Sequence, residues 1–295
     1  MAAERLTFPL VPVRRSAGVA FGNMRSRRRG LGSETASIRE YQPGDDIRRI
    51  DWNASARMSA ALGRDEFLVR EHYTEQARSV FLAVDRSPAM GLYPDASPWL
   101  SKPRALAACA RLVGASASAA SCPLGLLDGS ALVRPRQVRR GVEASLRAAT
   151  FDCADGLVSL LEQIAVARIQ PGSFVFVLSD FLAETSASTW ERALARGLEL
   201  VPVVIQDPVL EQSFPALGGL LVPVADPAGD SRSLVRLSRR EARALREQNE
   251  HRLTELGLLF RRLGLDWVLG GSDDPRVLHR AFVGWADSRQ KRTAA

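Results

Sequence analysis

Two aspartates stand where an apolar run stops: Asp85 closes "SVFLAVD" and Asp180 closes "SFVFVLSD". Ser87 follows the first of them by two residues, in "DRSPAM". Two carboxylates and a hydroxyl are the hard oxygen donors that Mg²⁺ or a similar ion prefers. The same residues suit a structural task equally, because aspartates beyond strands cap helices and accept amides in tight turns. A second concentration of charge is "REYQPGDDIRRIDWNASAR", residues 39–57. Asp45, Asp46 and Asp51 within it are the residue type of acid–base or two-metal chemistry. They alternate with Arg48 and Arg49, however, whose forked guanidinium groups grip carboxylates and neutralise them. No histidine accompanies them, and His72, His251 and His279 are isolated along the chain. No Ser-His-Asp pattern and no phosphate-binding glycine loop is recognisable, so the expectation is a protein that is not an enzyme.

The elements that must position these residues alternate between strand and helix from Ser79 onward. "SVFLAVD" (79–85), "SFVFVLSDF" (173–181) and "LELVPVVIQD" (198–207) are continuous apolar runs of the kind buried on both faces of a sheet. "PLGLLDG" (123–129) and "LDWVLGG" (265–271) read as two shorter strands. Between them the sequence predicts a helix from Pro103 to Ala120, with proline in its first turn, and one with Leu157, Leu160, Leu161 and Ile164 on one face. A further short helix falls near Trp190–Arg196. Ser238 and Glu241 have the spacing of a capping box, opening a helix to about Arg262. A closing helix carries Leu278, Phe282 and Trp285. Strands and helices in this alternation predict an α/β fold: a mostly parallel sheet with helices on both faces.

Residues 1–77 differ in character, being rich in Gly, Pro and Arg, and are expected to form a smaller irregular or β segment before an α/β domain over 78–295. Within the charged run, Pro43-Gly44 signals a turn, and Asp45 or Asp46 is placed to cap a short helix. Ile47, Ile50 and Ala54 recur at helical spacing and would face the sheet domain. Trp52 offers a large apolar surface to a core or an interface.

The formal net charge of +7 comes almost wholly from arginine, since Lys102 and Lys291 are the only lysines. The arginines are spread along the chain among acids, which argues against nucleic acid as the partner. Cys109, Cys122 and Cys153 form no C-x-x-C pair and are odd in number, as befits core thiols in a reducing compartment. The N-terminus lacks the layout of a secretory signal, and no stretch reaches the ~18 apolar residues of a spanning helix. The expected location is the cytoplasm, and the oligomeric state is left open.

Two resemblances sharpen this reading. Asp85-x-Ser87 after the first strand, with the later Asp180, resembles the metal-ion-dependent adhesion site of von Willebrand factor type A domains. The run containing Arg39, Glu40, Tyr41, Pro43, Gly44, Asp45, Asp46, Arg48, Ile50, Asp51, Trp52, Ser55, Ala56 and Arg57, followed by Asp85, Ser87 and Met90, resembles the bacterial domain-of-unknown-function 58 proteins. The resemblance implies a von Willebrand A-like (Rossmann-like) domain in the short, membrane-helix-free form of that family. It also implies a non-enzymatic adaptor or assembly role beside a MoxR-type AAA+ ATPase and a client of that ATPase. The alternatives are an arginine-rich nucleic-acid-binding protein and a metal-dependent hydrolase. The metal motif is incomplete: Ala89 stands in place of its second serine, and Cys153, Ala154 and Asp155 occupy the region of its threonine, with Thr150 nearby. What remains is a degenerate set, Asp85, Ser87 and Asp180, joined by Asp152 or Asp155, which should bind Mg²⁺ (or Mn²⁺ or Ca²⁺) weakly.

Overall fold

A computed structural model describes residues 6–13, 29–42, 47, 50–73, 78–92, 100–129, 131–136, 142, 144, 146, 150–225 and 232–294. The chain forms two compact units, one of Met1–Arg14 with Ser79–Ala295 and one of Arg15–Arg78. The sequence predicts one boundary, near residue 77; by its contacts the larger unit also takes in Met1–Arg14. The extended residues 6–13 join the larger unit because Phe8 is buried there, stacked 4.6 Å from the ring of Phe282. Its backbone N–H also donates to Ser116 Oγ at 2.9 Å.

The larger unit is a mixed α/β body around a six-stranded sheet. Its strands are β3 (Val80–Val84), β4 (Leu124–Leu127), β5 (Leu132–Arg136), β6 (Phe174–Ser179), β7 (Glu199–Ile205) and β10 (Val268–Gly270), in the order β10-β7-β6-β3-β4-β5. All neighbours are parallel except the β4–β5 pair, an antiparallel edge that the sequence did not disclose. Strand alternation divides the core between the two faces. Val175 and Val177 of β6 face a cluster with Leu157, Leu160, Leu161, Ile164, Trp190 and Phe260, from helices α3 (Gly156–Val166), α4 (Ala187–Leu194) and α5 (Arg239–Arg262). Phe176 turns to the other face, where its ring meets Phe8, Phe282 and Trp285. Helices α2 (Lys102–Ala119) and α6 (Pro275–Ala294) belong to that layer. The predicted capping box of α5 is formed: Ser238 Oγ accepts from Glu241 N–H, and the Glu241 carboxylate accepts from Ser238 N–H at 2.8 Å. A separate hairpin pairs β8 (Leu220–Ala225) with β9 (Arg232–Leu237). Among the described residues no helix is long and apolar enough to cross a membrane.

The smaller unit pairs β1 (Arg29–Glu40) with β2 (Leu68–Tyr73) and carries α1 (Trp52–Leu62). Here one expectation is corrected. Ile47, Ile50 and Ala54 do not share a helical face, because the helix begins only at Trp52, with Asp51 as its cap. Ile47 is exposed, and Ile50 forms a β-bridge with Val69.

Candidate functional site

The chain runs from β3 to β4 and then crosses to β6, which lies on the other side of β3. That reversal marks the carboxyl ends of β3 and β6 as the switch point, the place where open α/β sheets hold their sites in a crevice. Asp85 and Asp180 are the first residues past those two strands, and both are buried. Both aspartates thus stand at strand ends, as the apolar runs before them predict.

Their surroundings are not those of open ligands. Asp85 Oδ1 accepts the Ser87 N–H at 2.8 Å, and Oδ2 accepts the Ser179 hydroxyl at 2.6 Å. Burial pushes the Asp85 carboxyl above its ordinary range and the nearby Asp180 charge adds to this, while the bonds from Ser179 and Ser87 oppose it. Asp180 Oδ2 lies 2.8 Å from Lys102 Nζ, and its Oδ1 accepts the Leu182 N–H at 3.1 Å. The same ammonium reaches Glu211 Oε1 at 2.5 Å and the Ala89 carbonyl at 3.2 Å. Lys102 is wholly inaccessible to solvent, at 0% exposure, although it opens α2. Burial disfavours its charge, but Asp180 and Glu211 outweigh burial and hold the ammonium above its ordinary pKa.

Further hydrogen bonds hold these partners in place. Glu211 Oε2 accepts the Asp207 N–H at 2.9 Å, and the Glu211 carbonyl accepts from Arg252 Nη2 at 2.6 Å. Asn249 Nδ2 latches the same loop through the Leu210 and Ser213 carbonyls at 3.0 and 2.7 Å. The Gln206 amide donates to the Asp180 carbonyl at 2.6 Å. Gly156, the first residue of α3, lies against the β3 loop so closely that a Cβ there would sit 2.3 Å from Asp85 Oδ1.

As arranged, these groups do not fit a divalent cation. Both oxygens of Asp85 already accept protein donors, and Asp180 faces a positive charge. Asp152 turns away to Arg86, 3.1 Å from its Nη2, which also donates to the Thr150 hydroxyl at 2.6 Å. Asp155 precedes α3 without capping it through its side chain. Among the described residues no group of three or more His, Cys, Asp or Glu is placed to hold a metal.

Sequence reasoning missed Lys102, Glu211 and the Asp207 loop. One signal was available: a chain this biased to arginine keeps a lysine at position 102.

The 39–57 run falls partly within the described residues. Pro43, Gly44, Asp45, Asp46, Arg48 and Arg49 lie outside the described residues, so the proposed turn and arginine–aspartate pairs do too. Arg39 is on β1 opposite Val69, and Tyr41 N–H donates to the Phe67 carbonyl at 2.7 Å. Asp51 Oδ1 accepts the Ala54 N–H at 3.1 Å, and Asp51 N–H donates to the Leu68 carbonyl at 2.8 Å. Buried Ser55 donates to the Asp51 carbonyl at 2.7 Å and accepts the Leu68 N–H at 2.8 Å. Arg57 Nε donates to the Asn53 carbonyl at 3.2 Å. This part of the run is a hydrogen-bonded knot that ties α1 to β2. Trp52 stands out from it, 60% exposed, edge-on to the ring of Phe67 at 6.1 Å.

The chain belongs to the family described as "Protein of unknown function DUF58", which matches residues 37–255. The uncharacterized proteins Mb1516 of Mycobacterium bovis and Rv1480 of Mycobacterium tuberculosis are each 28% identical to it over 236 residues, 77% of this chain and 71% of theirs. Among solved structures it is similar to the conserved hypothetical protein BatB from Bacteroides thetaiotaomicron, with a TM-score of 0.40 and 11% identity over 72% of this chain and 100% of that one. It is also similar to an aerotolerance-related membrane protein from Bacteroides fragilis, with a TM-score of 0.42 and 10% identity over 72% of this chain and 100% of that one.

Proposed function

We propose that this protein is a non-enzymatic, von Willebrand A-like interaction module that works in the cytoplasm as an adaptor or assembly factor for a MoxR-type AAA+ ATPase and its client. One observation carries the interaction reading: Trp52 and Phe67 form an aromatic pair on the surface, 60% and 45% exposed, and Met58 and Leu62 of α1 are exposed as well. Aromatic side chains in such a position are the residues that anchor protein–protein contacts. The crevice supports the non-enzymatic part, since its titratable groups are engaged with one another and with backbone amides. The ATPase as partner comes from family membership and the 39–57 motif.

Affinity capture from a lysate of the source organism, with ATP and Mg²⁺ present, tests the reading. Recovery of an AAA+ ATPase by the wild type, lost in Trp52→Ala, is the expected result. Nucleic acid that elutes as salt rises, with no ATPase, would overturn it, because phosphate binding weakens steeply with salt.

A further inference from the structure

Lys102 sits in a position that ordinarily excludes a lysine. It is at the amino end of an 18-residue helix, where the helix dipole opposes a cation. It is also fully buried, where desolvation of an ammonium is costly unless partners replace water. Those partners are present as a set: Asp180 at 2.8 Å, Glu211 at 2.5 Å and the Ala89 carbonyl at 3.2 Å. An ammonium has three donors free to turn toward three separate acceptors, whereas the flat guanidinium fork suits a single carboxylate plane. This accounts for a lysine here in a chain whose other basic residues, Lys291 apart, are arginine.

The acceptors come from three places in the fold: the end of β6, the loop after β7, and the turn after β3. Oxygen donors converging from separate loops on one point are what a bound cation needs, and here the point holds Nζ.

We propose that the Lys102 ammonium is the resident cation of this crevice, standing in for a divalent ion. Wild-type protein then takes no Mg²⁺ or Mn²⁺ there, and shortening Lys102 to a neutral residue leaves Asp180, Glu211 and the Ala89 carbonyl as the oxygen donors of a divalent-cation site. The ammonium joins the three loops as a metal would, but through a covalent tether that cannot dissociate. The proposal concerns the crevice alone and stands whether or not an ATPase is the partner.

The test uses the full chain freed of metal with EDTA and then dialysed, with Mn²⁺ as the probe and electron paramagnetic resonance counting bound ions. Lys102→Ser should bind one equivalent more than wild type, and the extra ion should vanish in Lys102→Ser/Asp180→Asn. Saturating Mn²⁺ should raise the melting temperature of Lys102→Ser by roughly 5 °C and leave that of the wild type unchanged. A folded Lys102→Ser variant that binds no additional ion would overturn the proposal. If Lys102→Ser does not fold, wild type and Asp85→Asn decide the matter: equal Mn²⁺ binding supports the proposal, and an ion lost on Asp85→Asn refutes it.

Discussion

Lys102 Nζ lies 2.8 Å from Asp180 Oδ2, joining the start of α2 to the end of β6 where neither side chain meets solvent. The pair is the centre of a buried network that reaches α5 through Glu211 and Arg252. Breaking it should therefore cost more than breaking any surface pair.

Asp180→Asn leaves Lys102 short of a counter-charge in the interior, and removing one partner of a buried pair costs about 3–5 kcal/mol. Asp152→Asn removes a carboxylate whose side chain is 68% exposed beside Arg86, and should cost under about 1 kcal/mol. Urea unfolding of the two variants, compared at equal m-value, measures the difference. Equal losses would contradict the ranking.

The folded pKa of Lys102 lies above its ordinary value of 10.5. Stability from this group is accordingly complete below pH 10.5 and is lost as pH rises through the folded value. Lys102→Met lacks that alkaline step, so the stability gap between wild type and variant should narrow above pH 10.5 and stay constant from pH 7 to 9. Thermal unfolding across that range checks it.

Asp85 behaves in the opposite sense to an ordinary ion-paired carboxylate. Its folded pKa is raised above 3.8, so the native state binds the proton more tightly than the unfolded chain. Stability falls as pH rises from 3.8 through the folded value. Asp85→Asn carries no such penalty, and its deficit relative to wild type should be smaller at pH 7 than at pH 3.5. A deficit independent of pH would mean the carboxyl titrates normally.

Gly156→Ala forces a methyl group to within 2.3 Å of Asp85 Oδ1 and 2.5 Å of the Ser87 amide nitrogen. The β3 loop or the start of α3 must shift, at a cost of about 1–3 kcal/mol. The midpoint of denaturant unfolding should fall accordingly, and amide exchange at Ser87 should quicken before that of β6.

In the smaller unit, Ser55→Ala strips the Leu68 N–H of its acceptor and the Asp51 carbonyl of a donor. A buried amide left without a partner costs about 1–3 kcal/mol. Hydrogen exchange at Leu68 should rise in the full chain while that of Val177 in β6 is unchanged.

Much of the fold was legible because the central strands are continuous apolar runs. "SFVFVLSD" has no polar face to offer water, so burial on both sides follows from composition alone, and with it a sheet covered by helices. The caps at Ser238 and Glu241, and the apolar stripe of α3, are local patterns that tertiary packing did not override. The aspartates at strand ends were legible for the same reason, since a strand's last residue fixes where the next side chain emerges.

What the sequence left undetermined is long-range. Lys102, Asp180 and Glu211 lie up to 109 residues apart in sequence (211 − 102), and no periodicity links them. Whether Asp180 faces water, a metal or an ammonium depends on how α2 docks beside β6, and only the packed chain decides that. The exposure of Trp52 is of the same kind, since an indole suits a core and an interface equally until its neighbours are placed. Local chemistry chose the elements, and the distances between residues remote in sequence decided which charge met which.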